Sequence, residues 1–486
     1  MTALHGRFYR THPDNGDATP RARMTAMQSS QNGLTTGERR AASSLACIFA
    51  LRMLGLFMLY PVFAPYTRKL PGATPLAIGI ALGIYGLTQA LLQLPAGLVS
   101  DRVGRKPVIT AGLLVFAAGS VIAALAHGIG GIIVGRAVQG AGAVGAVTLA
   151  LAADLTRPEQ RTKAIGIIGM GIGLAFGLAV VAGPAVNAGI GLSGIFWVTA
   201  ALGIAGIAVL WWVVPRPGRA VRHRETEAVP ELIGRVLRDR QLQHLYVAIF
   251  ALHAMLAALF LVLPVLLRRG AGVTPDHEWL FYLPVFVIGF ILMVPAVIHA
   301  EKRGRIKQVS LGAIALMALA PLALALTPEA AVPLAAVMTI FFGAFTLMEA
   351  LLPSLVSRLA RPEAKGTAMG IYSTSQFLGI FAGGAVGGLL HSRFGTPGVL
   401  AFVGGVGLVW WLVFTTLKRP RMLSSRLLQV AVSDDGAGKR LARALEAVPG
   451  VAEAVVFPED GVASLRVDRG RLDEAALNEA VAEAAV

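Results

Sequence analysis

Twelve apolar runs, each long enough to cross a bilayer, follow one another between Ala42 and Thr416, and few folds are open to such a chain. They cover about 43–63, 76–98, 107–127, 130–153, 163–188, 193–215, 243–267, 279–300, 308–326, 330–354, 366–391 and 397–416. A spanning helix needs roughly 20 apolar residues, and each run approaches or exceeds that length. The seventh to tenth runs contain several prolines, where kinks are expected. Apolar residues make up 55% of the chain and charged ones only 14%, which sets it apart from a soluble enzyme of 486 residues.

Basic residues give the orientation. Loops after even-numbered runs carry 20 Lys and Arg, and loops after odd-numbered runs carry five: Arg68, Lys69, Arg268, Arg269 and Arg393. The positive-inside rule then puts both termini and the long central loop in the cytoplasm. This bias accounts for most of the net charge of +16, so nucleic acid is not needed as a partner. Residues 1–40, with six arginines and no apolar run, read as a disordered cytoplasmic tail, in which Met24 and Met27 are alternative starts. No signal peptide is visible. Cys47 is the single cysteine, which rules out disulfides within the chain and cysteine metal clusters.

The chain also repeats itself. RPEQRTKAIGI at Arg157 returns without a gap 204 residues later as RPEAKGTAMGI at Arg361, and DRVGRK at Asp101 is echoed by EKRGRI at Glu301. Two six-helix halves in one orientation fit both echoes. The resulting fold class is an all-α polytopic membrane protein of twelve transmembrane helices, with a small α+β domain at its end. The expected units are a tail (1–40), a first half (41–215), a linker (216–242), a second half (243–418) and a cytoplasmic domain (424–486). Parallel halves with a site between them at mid-membrane suit rocking between two access states.

Within GLVSDRVGRKP, Gly97 and Gly104 allow close backbone approach and a tight turn, and Asp101 is placed to accept from an arginine or a helix N-terminus. Such a cluster can latch the cytoplasmic faces of the two halves. Arg102, Arg105 and Lys106 would serve for topology alone, but the spacing asks for more. That spacing resembles the signature between the second and third helices of the major facilitator superfamily, matched at Gly97, Asp101, Arg102, Gly104, Arg105 and Lys106. GRAVQGAGA is similar to the same family's fourth-helix pattern, with Arg136, Gln139, Gly140 and Gly142, and the resemblance implies that Arg136 takes part in proton coupling. From its apolar setting alone, Arg136 should face a cavity or a carboxylate; bonding to backbone carbonyls is the structural alternative. Gly169, Gly173 and Gly177, followed by Gly183-Pro184, permit close packing of the fifth helix. They resemble the antiporter-associated glycine-proline motif, with Ala179 and Ala188 departing from it. Gly379, Gly383 and Gly387 are read as packing residues.

Among the few polar groups that remain inside the apolar runs, Arg52, His253, Glu349 and Gln376 are singled out. Intramembrane ionisable residues are functional candidates by default. Glu349 is the first candidate to load and release a proton. His253 is the second, since an unperturbed imidazole titrates near neutrality. Arg52 suits a counter-charge or a substrate anchor, and Gln376 lines the cavity. Pairings among the four are not readable from sequence.

Beyond Arg426 the pattern changes to strand (427–432), helix with Leu441, Leu445 and Val448 on one face, strands 451–457 and 462–467, and a helix from Asp473. This is a ferredoxin-like βαββα unit, with no closing fourth strand expected before Val486. It has no Cys-x-x-Cys loop, so metal delivery is not expected, and a regulatory or packing role is favoured. A regulatory ligand such as an anion or nucleotide stays open.

LRMLGLFMLYPV, IGIYGLTQA, MEALLPSL, GTAMGIYSTSQFLG and the added domain together resemble the bacterial YajR-type transporters. That resemblance implies a proton-driven inner-membrane exporter of drug-efflux type, with no cofactor beyond the proton gradient and no enzymatic activity. Its partners would be the bilayer, protons and a small molecule. An importing symporter would share the fold but show more polar groups in its cavity, and a sensor would bind without turnover. The apolar cavity favours export of an amphipathic or lipophilic solute. No Gly-x-x-x-x-Gly-Lys-Ser/Thr occurs, which disfavours ATP drive.

Overall fold

The computed structural model describes residues 33–157, 160–215, 230–270, 272–274, 277–324, 330–361, 364–418, 424–430, 435–458, 461–468 and 471–483. Most of the expected tail and the linker stretch 216–229 lie outside the described residues.

The first half comprises α1 (Thr36–Phe57), α2 (Tyr60–Thr67), α3 (Pro75–Val103), α4 (Arg105–Ala124), α5 (Ile129–Ala141), α6 (Gly145–Asp154) and α7 (Arg161–Trp212). A short helix α8 (Pro230–Arg238) leads into the second half: α9 (Arg240–Gly270), α10 (Glu278–Lys302), α11 (Ile306–Leu324), α12 (Ala331–Leu359) and α13 (Lys365–Thr415). Ten apolar helical stretches in the described residues are long enough to span a bilayer, two of them of 50 and 51 residues. At 1.5 Å per residue such a helix would be about 75 Å long, against a hydrocarbon core of about 30 Å. Each is broken once, at Gly191 (φ 71°) and at Gly395 (φ 64°), where only glycine adopts the backbone without strain. Those breaks fall between the fifth and sixth, and the eleventh and twelfth, sequence-predicted runs. Among the described residues the spans are therefore twelve.

Two boundaries differ from the sequence reading. Helix α1 starts at Thr36, inside the stretch read as disordered tail, because Thr35 and Glu38 form a reciprocal capping box. The linker region is partly helical: α8 occupies 230–238, and Asp239 then caps α9 by accepting from the Gln241 and Leu242 amides at 2.8 and 3.3 Å.

The halves meet along α3 and α13, where glycines let two backbones touch. A Cβ on Gly79 would lie 2.1 Å from the Gly384 carbonyl oxygen, and one on Gly83 would lie 2.9 Å from that of Phe381. Gly379 and Gly383 do the same between α13 and α9, against the carbonyls of Phe250 and Ala254 at 2.3 and 2.1 Å. At the end opposite the basic loops, Arg68 Nη2 lies 2.7 Å from His391 Nε2, joining the halves again.

The C-terminal unit has its own core. Strands β1 (Ser424–Gln429), β2 (Val451–Phe457) and β3 (Val462–Val467) form a sheet of order β1-β3-β2, with β3 antiparallel to both neighbours. Helices α14 (Asp435–Ala447) and α15 (Glu474–Glu483) pack on it through Leu441, Leu445 and Leu477. The parallel β1 and β2, split by β3, give the small α+β sandwich. Arg466 of β3 is paired with Glu453 and donates to the Arg358 carbonyl at the end of α12, so the domain rests on the second half.

Candidate functional site

Among the described residues two polar clusters lie in the membrane interior, one in each half. In the second, α9, α12 and α13 bring together three of the four groups singled out in sequence. His253 Nδ1 lies 3.2 Å from the Ile249 carbonyl one turn earlier, an arrangement in which it is the protonated nitrogen. That leaves Nε2 to accept from Gln376 Nε2 at 2.8 Å. Gln376 also donates to Glu349 Oε1 at 3.5 Å, and Glu349 Oε2 stands 3.8 Å from His253 Nε2. The His253 side chain is 2% exposed and that of Glu349 26%. A carboxylate, an imidazole and an amide thus share one site, and a proton placed on His253 Nε2 would complete an ion pair with Glu349. Tyr372 of α13 and Glu349 Oε2 have no hydrogen-bond partner among the described residues.

Arg52 belongs to the other cluster. Its Nη2 donates to Tyr85 and to Gln89 of α3, and its guanidinium lies over the rings of Tyr85 and Phe116, 5.8 and 5.6 Å from their centroids. Arg136 stacks on the same Tyr85 ring at 4.9 Å. Of the settings expected for it, a cavity, a carboxylate or backbone carbonyls, the described residues show the last. Its donors go to the Ala81 and Leu82 carbonyls at 3.3 and 3.2 Å and to Gln139 Oε1 at 2.6 Å, a fully buried arginine tying α5 to α3. Gln139 passes the bond on to Ser120 at 2.7 Å. Gly140 is required where α5 crosses α3: a Cβ there would sit 2.2 Å from the Tyr85 carbonyl oxygen.

A line of side chains runs between the clusters. From Arg52 it passes to Gln89, then from Gln89 Nε2 to Gln93 Oε1 at 2.7 Å, and from Gln93 Nε2 to Ser373 Oγ at 3.1 Å. Ser373 lies one helical turn from Gln376. Sequence reading missed Tyr85, Gln89, Gln93 and Ser373. The signal was present, since 85, 89 and 93 recur every four residues on one face of an apolar helix. Toward the far end an aromatic group closes the interface: Phe176 of α7 meets Phe286 of α10 at 5.4 Å and Phe345 of α12 at 5.3 Å, and Tyr60 of α2 meets Phe260 of α9 at 5.3 Å.

The charged loop after α3 takes a form that the second half repeats. Gly104 (φ 103°) and Gly304 (φ 64°) make the two turns. Arg105 pairs with Asp101 and, at 3.2 Å, with Asp154 at the end of α6. In the second half the signs are exchanged, with Glu301 on the loop and Arg358 at the end of α12, 2.6 Å apart. Lys106 donates to the Leu210 and Val214 carbonyls at 3.1 and 2.8 Å, and Lys307 donates to the Thr415 carbonyl at 2.7 Å. Each lysine thereby satisfies end-of-helix carbonyls of the last span in its half. Each of these bonds lies within one half. In this conformation the described bonds of the loop stay inside the first half, because the halves are held together at the opposite end. Arg102 is exposed, and Gly97 has nothing within 4 Å of a built Cβ, so it makes no close approach.

The glycine run of α7 divides into a tight and an open part in this conformation. Gly183 is tight, its Cβ position 2.3 Å from the Met58 carbonyl oxygen, and Pro184 beside it is buried. Gly169, Gly173 and Gly177 have open space instead, so they pack against nothing here.

Two parallel halves related by a 200-residue repeat, meeting around buried ionisable groups, define a secondary transporter architecture rather than an enzyme. The chain belongs to the Major Facilitator Superfamily, which matches residues 45–300 and 278–440. It is 42% identical over 451 residues to the inner membrane transport protein YajR of Escherichia coli (strain K12), covering 93% of this chain and 99% of that protein. The multidrug resistance protein MdtH of Aeromonas salmonicida (strain A449) is 28% identical over 77% of this chain and 91% of its own length. Among solved structures, a bacterial homolog to the human lysosomal transporter Spinster shares the fold at a TM-score of 0.60 and 16% identity, with 79% of this chain and 95% of that one covered.

Proposed function

We propose that this membrane transporter is a proton-coupled antiporter of the bacterial inner membrane, exporting small amphipathic or lipophilic solutes by alternating access. The observation that carries the reading is the convergence of Glu349, His253 and Gln376 where the halves meet. A carboxylate beside an imidazole, both largely withdrawn from water, is a place for a proton to be taken up and released as access alternates. Arg136 and Arg52 sit on the first-half side of the same interface and, through Gln89, Gln93 and Ser373, link the charge state there to the helix that carries Gln376. The aromatic group beyond the site suits an apolar solute body. The names of the MdtH relatives, multidrug resistance proteins, agree with export.

The charged loops are latches that engage across the halves when the protein opens toward the opposite side. Gly173 and Gly177 then provide a smooth surface on α7 for the moving half, while Gly183 and Pro184 stay packed. A cytoplasmic location of both termini is the orientation that the basic loops support under the positive-inside rule. No cofactor enters, and the proton gradient is the energy source.

The test uses the purified protein in liposomes with an imposed pH gradient, an internal pH indicator and a panel of lipophilic cations, dyes and small metabolites. Solute movement against proton flow is the expected result. Flow of both in one direction would replace antiport by symport, and saturable binding without flux would leave a sensor.

A further inference from the structure

Outside the membrane interior, three arginines surround a cavity of about 550 Å³ at the basic end: Arg235 and Arg238 on α8 and Arg361 after α12. All three are exposed, and none of their guanidiniums has a hydrogen bond or ion pair among the described residues. Among the described residues Asp239 is the only carboxylate lining the cavity, and it is occupied in capping α9. Three guanidiniums held around one space repel one another unless an anion joins them. Planar forks of this kind match phosphate oxygens best.

The surroundings point to the source of that phosphate. Helix α8 buries Val236 against the protein and leaves Leu237 46% exposed, while Arg235 and Arg238, three residues apart, lie together on its outer side. It ends one residue before the span of α9 begins, so it lies within about a turn of the bilayer surface. An amphipathic helix with arginines and an exposed leucine at that depth suits the headgroup layer. We propose that this cavity binds the phosphate of an anionic lipid headgroup, which bridges the helix leading into the second half (Arg235, Arg238) to the loop between α12 and α13 (Arg361). Neither the solute path nor proton coupling is involved. The lipid acts as a tether that fixes α8 against the second half.

The experiment titrates the full chain in detergent with phosphatidylglycerol, with phosphatidylcholine for reference, and counts bound lipid by native mass spectrometry. A separate arm replaces lipid with inorganic pyrophosphate. The test variant is Arg235→Gln/Arg238→Gln/Arg361→Gln; the reference variant, Lys302→Gln/Arg303→Gln/Arg305→Gln, removes three exposed charges of another loop at the same end. Wild type is expected to prefer phosphatidylglycerol, and the test variant to bind it on the order of a hundredfold more weakly, about fivefold per arginine. The reference variant is expected to keep its binding. Should the triple variant fail to fold, Arg361→Gln alone carries the same expectation at about fivefold. Pyrophosphate binding that depends on the same arginines, and that lipid does not displace, would support the phosphate site and assign it a soluble ligand. Equal loss in both variants would overturn the proposal, because the effect would then be general surface charge. Binding of neither probe would overturn it as well.

Discussion

Gln93 donates to Ser373 Oγ at 3.1 Å, so a side chain of the first half ends on a helix of the second, one turn from Gln376. Because Gln93 also accepts from Gln89, which is bonded to Arg52, a change of charge at the first cluster has a hydrogen-bonded route as far as Ser373, one helical turn from the second. In an apolar interior such bonds have no water to replace them. They are therefore the side chains whose loss should separate the clusters.

Replacing Gln93→Leu removes the bond to Ser373 and leaves Gln89 Nε2 without an acceptor. An orphaned buried donor costs about 1–3 kcal/mol. The variant should melt several degrees lower than wild type in detergent and transport several-fold more slowly. Wild-type values for both would show that the line has no energetic weight.

Glu349→Gln keeps the shape of the second cluster and removes its carboxylate. The Gln376 amide can still reach an acceptor there, so the protein should insert and fold normally. Proton movement tied to solute should disappear in liposomes, and solute exchange should lose its dependence on the pH gradient. A retained dependence would transfer the role to His253, whose Nε2 is 3.8 Å away.

Asp101→Asn and Glu301→Gln attack the two loops whose ion pairs are mirror images in charge. Each loses one partially exposed pair, so stability should change by no more than about 1 kcal/mol. If the loops engage across the halves in the opposite state, transport should fall several-fold in both variants while insertion stays normal. Unchanged rates in a flux assay would confine the pairs to holding each half together.

How much of this was legible before the structure depends on range. The twelve spans and the βαββα order follow from local periodicity, and the 200-residue echo placed Gly104 and Gly304 at matching turns. Arg52, His253, Glu349 and Gln376 stood out because an ionisable or amide group is rare in an apolar run. Their partners did not, since a pairing such as His253 with Gln376 joins residues 123 apart and is fixed only by how α9 and α13 cross. The glycines of α7 show the same limit. Four-residue spacing identifies a small-residue face, but whether Gly173 meets a neighbour depends on where the other half stands.

That ambiguity separates two roles by substitution. At Gly183 a Cβ would lie 2.3 Å from the Met58 carbonyl oxygen, a backbone atom that cannot turn away, so Gly183→Ala should destabilise by about 1–3 kcal/mol. At Gly173 and Gly177 nothing lies within 4 Å, and alanine there should leave the melting temperature unchanged or slightly raised, by up to about 1 kcal/mol in stability. If these two glycines are a surface for the moving half, the alanine variants should nonetheless transport more slowly, because a methyl group obstructs a closed state that this conformation does not show. Thermal melts and flux measured on the same preparations decide it. A loss of rate at constant stability assigns Gly173 and Gly177 to gating, and full activity leaves their face to the lipid.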